Sequence, residues 1–249
     1  MSKLRLVIIL LSICYLSQHL LSEIIAEPAT LVYASSTTIT SAEQIWEIDF
    51  TALPNNVRQE LTGQGFSFEK GMSKGKKIHI VTDDNNLKIS TTRPAFGFMI
   101  KKDLQIQQAN WLEIEWGIER YPEAANWDNS KNREAVMVYL FFGDPLPADH
   151  FYLPDSPFFI GMFLGKHEVA KRPYIGGNYT ATGRYVCLDN PAPGQLITSR
   201  FNYSQAFKTW FDQATTPPVT GIAIEVDTGG LPDGLSSAFI KRITFQNAN

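Results

Sequence analysis

Cysteine is almost missing from this sequence: 249 residues hold two, Cys14 and Cys187. A disulfide framework is therefore excluded as the source of stability, which must come from an apolar core. A basic surplus is missing as well. Lys and Arg number 22 against 25 Asp and Glu, a net charge of -3, which lacks the footprint of a nucleic-acid binder. Histidine is scarce, with four in all, and His79, His150 and His167 fall at no metal-ligand spacing. No serine or cysteine motif accompanies them, so neither a zinc site nor a hydrolytic triad has sequence support. There is no glycine-rich phosphate loop after a strand. Past the first two dozen residues no apolar run is long enough to span a bilayer. Disorder is excluded too, since 44% of the residues are hydrophobic and only 19% charged.

What is present begins with an export pattern. Lys3 and Arg5 form a short basic segment, Leu6 to Leu11 is wholly apolar, and Ile13 to Leu16 extends it until Gln18 and His19 interrupt. That run is short for a membrane span and reads as a signal peptide over residues 1–26, closed by Ala26, with Ala34 the other small residue able to close it. An uncleaved anchor is the alternative. Ile13 is too large for a lipoprotein signal at Cys14. Cleavage leaves Cys187 as the lone thiol, inside the strand-like run Arg184-Tyr-Val-Cys-Leu, where a small buried hydrophobe is expected.

Residues 27–42, rich in Ser, Thr and Ala, read as a leader into one domain over 43–249. There, short apolar runs separated by turn residues dominate, and 14 prolines with 17 glycines supply the turns. Trp111-Leu-Glu-Ile-Glu-Trp-Gly-Ile-Glu119 alternates most cleanly, with Leu112, Ile114, Trp116 and Ile118 on one face. Glu134 to Phe142 is almost wholly apolar after its first residue and predicts a central strand covered on both faces. Residues 77–81 and 87–90 flank Asp83-Asp-Asn-Asn86 and predict a hairpin. One helix is expected, over 204–213, because Phe207, Trp210 and Phe211 share a helical face. About ten strands and one short helix in the C-terminal half define an all-β, jelly-roll-like β-sandwich.

Three kinds of site residue suggest themselves. Carboxylates in pairs can cleave glycosidic bonds. Glu113 and Glu115 project from one strand face, about 7 Å apart by strand rise, and Glu225 and Asp227 repeat the spacing. A solvated strand face explains Glu113, Glu115 and Glu119 equally simply. Aromatic side chains in polar loops can stack on sugars: Trp127 lies between Asn126 and Asp128, and Tyr121, Tyr174 and Tyr179 have polar neighbours. Core packing is the other reading of Trp127. The loop from Asp227 to Gly234 brings two acids, Asp227 and Asp233, into flexible backbone that could hold a structural calcium, although an ordinary turn has the same composition. Asn178 and Asn202 match the N-glycosylation pattern, which matters only in a eukaryotic secretory route.

Several segments together carry a family resemblance: Trp111-Leu-Glu-Ile-Glu-Trp116, Val136 to Leu140, Arg200-Phe-Asn-Tyr203, the stretch to Trp210-Phe-Asp212, Gly221 to Thr228, and Ser237 to Phe245. Over roughly residues 105–247 the chain resembles a bacterial family of exported domains of unknown function. The resemblance implies a jelly roll similar to carbohydrate-binding modules. It brings no catalytic residues with it. Members typically place a second acid just after Asp227, where this chain has Gly229 and Gly230.

The sequence thus leads to an exported, non-catalytic sandwich that binds a saccharide or another cell-envelope ligand through Trp127, Asp128, Asn126, Tyr121 and Tyr179. A polysaccharide-active enzyme using Glu113, Glu115, Glu225 and Asp227 is the second reading, and an envelope scaffold or protein-interaction domain the third.

Overall fold

The computed structural model describes residues 42–248. The expected signal peptide, its candidate cleavage residues Ala26 and Ala34, Cys14 and the expected leader up to residue 41 lie outside them. No helix of the described residues is long and apolar enough to cross a membrane.

Two sheets make a jelly-roll-like sandwich. The six-stranded sheet runs β11 (Ile197–Phe201), β6 (Trp111–Arg120), β13 (Leu235–Asn247), β4 (Asn86–Thr92), β3 (Ile78–Asp83), and β1 (Glu43–Asp49) pairs with the far half of β13. The seven-stranded sheet runs β2 (Phe66–Lys70), β5 (Phe96–Lys101), β12 (Val219–Asp227), β7 (Glu134–Leu146), β8 (Ser156–Leu164), β10 (Gly183–Asp189), β9 (Pro173–Tyr174). Its one parallel pair is β8 with β10.

Alternation builds the core between them. Leu112, Ile114, Trp116 and Ile118 of β6 are all fully buried, facing Val136, Val138 and Leu140 of β7 and Ile222, Ile224 and Val226 of β12. The Trp116 indole N–H is satisfied by Ser199 Oγ at 2.9 Å, and Ser199 donates in turn to Asp189 at 2.5 Å. The expected hairpin forms between β3 and β4, with Asp84 and Asn85 both left-handed, as a tight two-residue turn requires.

The structure adds elements the apolar pattern did not announce. Thirteen strands are present among the described residues, because β2 and the two-residue β9 are short edge strands. Besides the expected helix, α1 (Val57–Gly63) and α2 (Gly71–Lys74) flank β2. Both bury only one or two apolar residues, Val57 and Leu61 in α1 and Met72 in α2, so they leave little periodic signal. The expected helix, α3 (Tyr203–Trp210), is capped by Asn202 Oδ1, which accepts from Gln205 N at 2.8 Å. It ends before residue 213, where Asp212 turns left-handed.

Candidate functional site

β7 lies centrally, between β12 and β8, but a second sheet covers only one of its faces. The other face looks into a groove of about 710 Å3 on the outside of the seven-stranded sheet. Adjacent strands supply its floor: Phe96 and Phe98 from β5, Ala223, Glu225 and Asp227 from β12, Tyr139 and Phe141 from β7, Phe159 from β8 and Tyr185 from β10. Gly161 makes this floor possible, since a Cβ there would sit 2.6 Å from Met137 Sδ and 2.9 Å from the Tyr139 ring.

A bulge places the acid that matters most. Glu225 is opposite Met137, but Asp227 is opposite Glu134, so β7 spends one residue more than β12 over this interval. Ala135 and Val136 both turn to the core, and Glu134 comes out on the groove face beside Tyr139 and Phe141. Strict alternation would bury it with Val136 and Val138.

Glu134 and Glu225 are neighbours on the groove face, where the charge of Glu225 acts on Glu134. Glu134 also accepts from the Trp127 indole N–H at 3.3 Å, and Glu225 from the Tyr139 hydroxyl at 2.9 Å. Burial is the main cause that lifts both carboxyls above the ordinary glutamate range: Glu225 rises to about 7, and Glu134, only 3% exposed, is raised well above its usual value, with the charge of Glu225 adding to the shift. The pair therefore holds a proton near neutrality, which lets it both donate and accept hydrogen bonds. Asp227, beside it, is raised by burial but tempered by Gly229 N–H at 2.7 Å and by Arg133 at 3.5 Å.

Trp127 takes the packing role. Its ring, 7% exposed, stacks on Phe163 with centroids 4.8 Å apart and meets Tyr174 and Tyr185, closing a small second core with Met137 and Cys187. Only its N–H edge serves the groove, through Glu134. Asn126 caps the 3-10 turn Trp127–Asn129 by accepting from Asn129 N at 3.0 Å. Asp128 is held by Arg172 and by the Tyr174 hydroxyl. Tyr121 donates to Pro191 O at 2.7 Å and packs on the main core. Tyr179 lines the groove and ties its rim by donating to Pro154 O at 3.0 Å. Cys187 is fully buried, and burial pushes its thiol up to about 12, so it is no nucleophile at neutral pH.

Of the other carboxylates singled out in the sequence, Glu113 and Glu115 are on the six-stranded sheet, paired with Arg200 at 3.4 Å and with Arg242 at 3.1 Å. Glu119 bonds Ser237 and Lys88 there. The structure thus brings Glu225 and Asp227 together with Glu134, and not with Glu113 or Glu115. Asp233 engages Arg120 at 2.8 Å and Leu235 N–H at 3.0 Å, whereas Asp227 engages Arg133. Among the described residues no three His, Cys, Asp or Glu gather in a metal-holding group.

Glu168 carried no sequence signal, yet it holds the loops beside the groove. Its carboxylate, 5% exposed in the residue as a whole, accepts from the backbone N–H groups of Trp127 at 3.1 Å, Lys166 at 2.8 Å and His167 at 3.0 Å. A Gln keeps one acceptor oxygen but turns an NH2 toward donors. Glu168→Gln is expected to lower stability by about 1–3 kcal/mol, the cost of stranded buried N–H groups, read in urea melts.

No family model and no curated protein matches this chain. Among solved structures, it is similar to a cleaved adhesin domain of Lys-gingipain from Porphyromonas gingivalis, at 9% identity and TM-score 0.37, covering 82% of this chain and 99% of that one. It is similar to the catalytic domain of Humicola grisea Cel12A, crystallised with a thio cellotetraose, at 10% identity and TM-score 0.38, covering 74% and 93%. A carbohydrate-binding module specific for non-crystalline cellulose follows, at 14% identity and TM-score 0.29, covering 83% and 94%. At these scores the likenesses carry no ligand or chemistry over to this chain.

Proposed function

We propose that the groove is a saccharide-binding site on an exported protein. One observation carries the reading: aromatic side chains and the acids Glu134 and Glu225 line the same open groove. Ring faces of Phe98, Tyr139 and Phe141 suit the CH faces of a pyranose, and Glu134 and Glu225 can donate to and accept from its hydroxyls. The basic and apolar segments at Lys3, Arg5 and Leu6 to Leu16 support export and removal of residues 1–26. Titration calorimetry across a panel of oligosaccharides tests the site. Phe98→Ala and Phe141→Ala should each weaken the bound oligosaccharide about tenfold without lowering its stoichiometry, the size expected for one lost aromatic contact. Silence across the whole panel would end this reading.

Hydrolysis is the second reading, and the paired acids favour it. Retaining glycosidases hold two carboxyls about 5–5.5 Å apart with the scissile bond between them. Glu134 is only 3% exposed and is engaged by the Trp127 indole, which leaves it poorly placed to reach a scissile bond and ranks binding first. Release of reducing ends by the wild type, lost in Glu225→Gln, would reverse that order.

A further inference from the structure

Five acids line the groove against three bases, Lys70, Lys102 and Arg133. Glu134 and Glu225 meet there, with Asp227 beside them, and among the described residues the ion pair in this trio is Arg133 with Asp227. Arg133 is further occupied by the carbonyls of Gly229 and Asn132. Among the described residues neither Glu134 nor Glu225 has an ion-pair partner, and burial favours the protonated form of both. A second, independent feature points the same way. Asn132 Oδ1, in the lining of the same groove, is buried and has no hydrogen-bond partner. A bare amide oxygen accepts and cannot donate. Tyr139, Phe141 and Phe98 line the same space, and an aromatic ring attracts a cation placed over its face. Tyr139 and Tyr185, beside the pair, are held neutral by burial. A hydroxyl would satisfy one of these acceptors. A positively charged multiple donor would satisfy all of them.

We infer that the saccharide taken by this groove carries a free amino group, whose ammonium sits at the Glu134–Glu225 pair between acceptor oxygens and aromatic faces. This rests on the saccharide reading above and narrows it to amino sugars. The ammonium arrives with its three protons, the pair releases the one it holds near neutrality, and that proton passes to solvent. Binding is then coupled to proton release, as no neutral sugar would require.

The experiment compares glucosamine, N-acetylglucosamine and glucose oligomers of equal length, with spermidine as a free polyamine, by calorimetry on the whole protein in buffers of different ionisation heat. At pH 7 the glucosamine oligomer should bind roughly tenfold or more tightly than its acetylated counterpart, with net proton release. The preference should fade toward pH 4.5, where the pair keeps its proton, and shrink in a Glu225→Gln variant that melts normally. Equal affinity for all three oligomers, without proton release, overturns the amino-sugar assignment and leaves saccharide binding standing. Spermidine binding as tightly as the glucosamine oligomer overturns it as well. No binding by any oligomer overturns both readings.

Discussion

Trp127→Ala should unfold this protein more readily by about 3–5 kcal/mol, the usual cost of removing a buried indole. The size follows from its contacts. The ring closes the small core over Met137, Phe163 and Cys187 and touches Tyr174 and Tyr185, and its N–H is bonded to the buried Glu134. Truncation opens a cavity and strips Glu134 of a donor at once. For a domain of this size, that corresponds to a fall in Tm of roughly 6–20 °C. Trp127→Phe fills most of the space but cannot donate, and should lose less. Calorimetric melts of both variants check the ordering. A Trp127→Ala protein that melts like the wild type would overturn the packing role of the ring.

The second large effect is a stability that declines as pH rises. Glu225 titrates near 4.5 when unfolded and about 7 when folded, and Glu134 moves in the same direction. Between those values the native state binds more protons than the unfolded one, so the unfolding free energy drops with increasing pH. The stability is full below about 4.5 and is lost through about 7. For Glu225 alone the loss is at most about 3 kcal/mol. Glu225→Gln still accepts from Tyr139 and has nothing to ionise, so it should equal the wild type at pH 4.5 and exceed it at pH 8. Asp227 sits close by with its value also raised, and leaves part of the slope in place. Unfolding in urea at several pH values reads this directly, and a wild-type profile flat from pH 5 to 8 would refute the raised carboxyls.

How much of this was legible depends on which rule each residue obeys. β6 was readable residue by residue, because Leu112, Ile114, Trp116 and Ile118 follow the period of two without interruption and all reach the core. Glu225 and Asp227 were visible for the same reason. Glu134 was not: the bulge between Glu225 and Asp227 inverts its facing, and bulges leave no mark in a single apolar run. The sequence leaves Trp127 open between binding and packing because its neighbours are polar. Asn126 is polar as a cap and Asp128 as the partner of Arg172, while the ring between them turns inward. Glu168 works through backbone N–H groups, which every sequence offers alike. Its one clue was an acid flanked by Lys166, His167 and Val169, a mixture that announces no structure.

β13 has a further consequence, for the order in which the molecule can assemble. It is the hub of the six-stranded sheet, pairing with β1, β4 and β6, and it follows all three in the chain. A growing polypeptide thus carries β1, β4 and β6 with bare edges until the stretch from Leu235 onward emerges. The contacts that close the sheet join Glu43 to Asn247 and Trp46 to Phe245, across nearly the whole described chain. Such long-range closure makes for slow folding and a long exposure of unpaired strands. A premature stop before residue 235 leaves β1 without its partner and splits the six-stranded sheet into two separate pairs, β3 with β4 and β6 with β11.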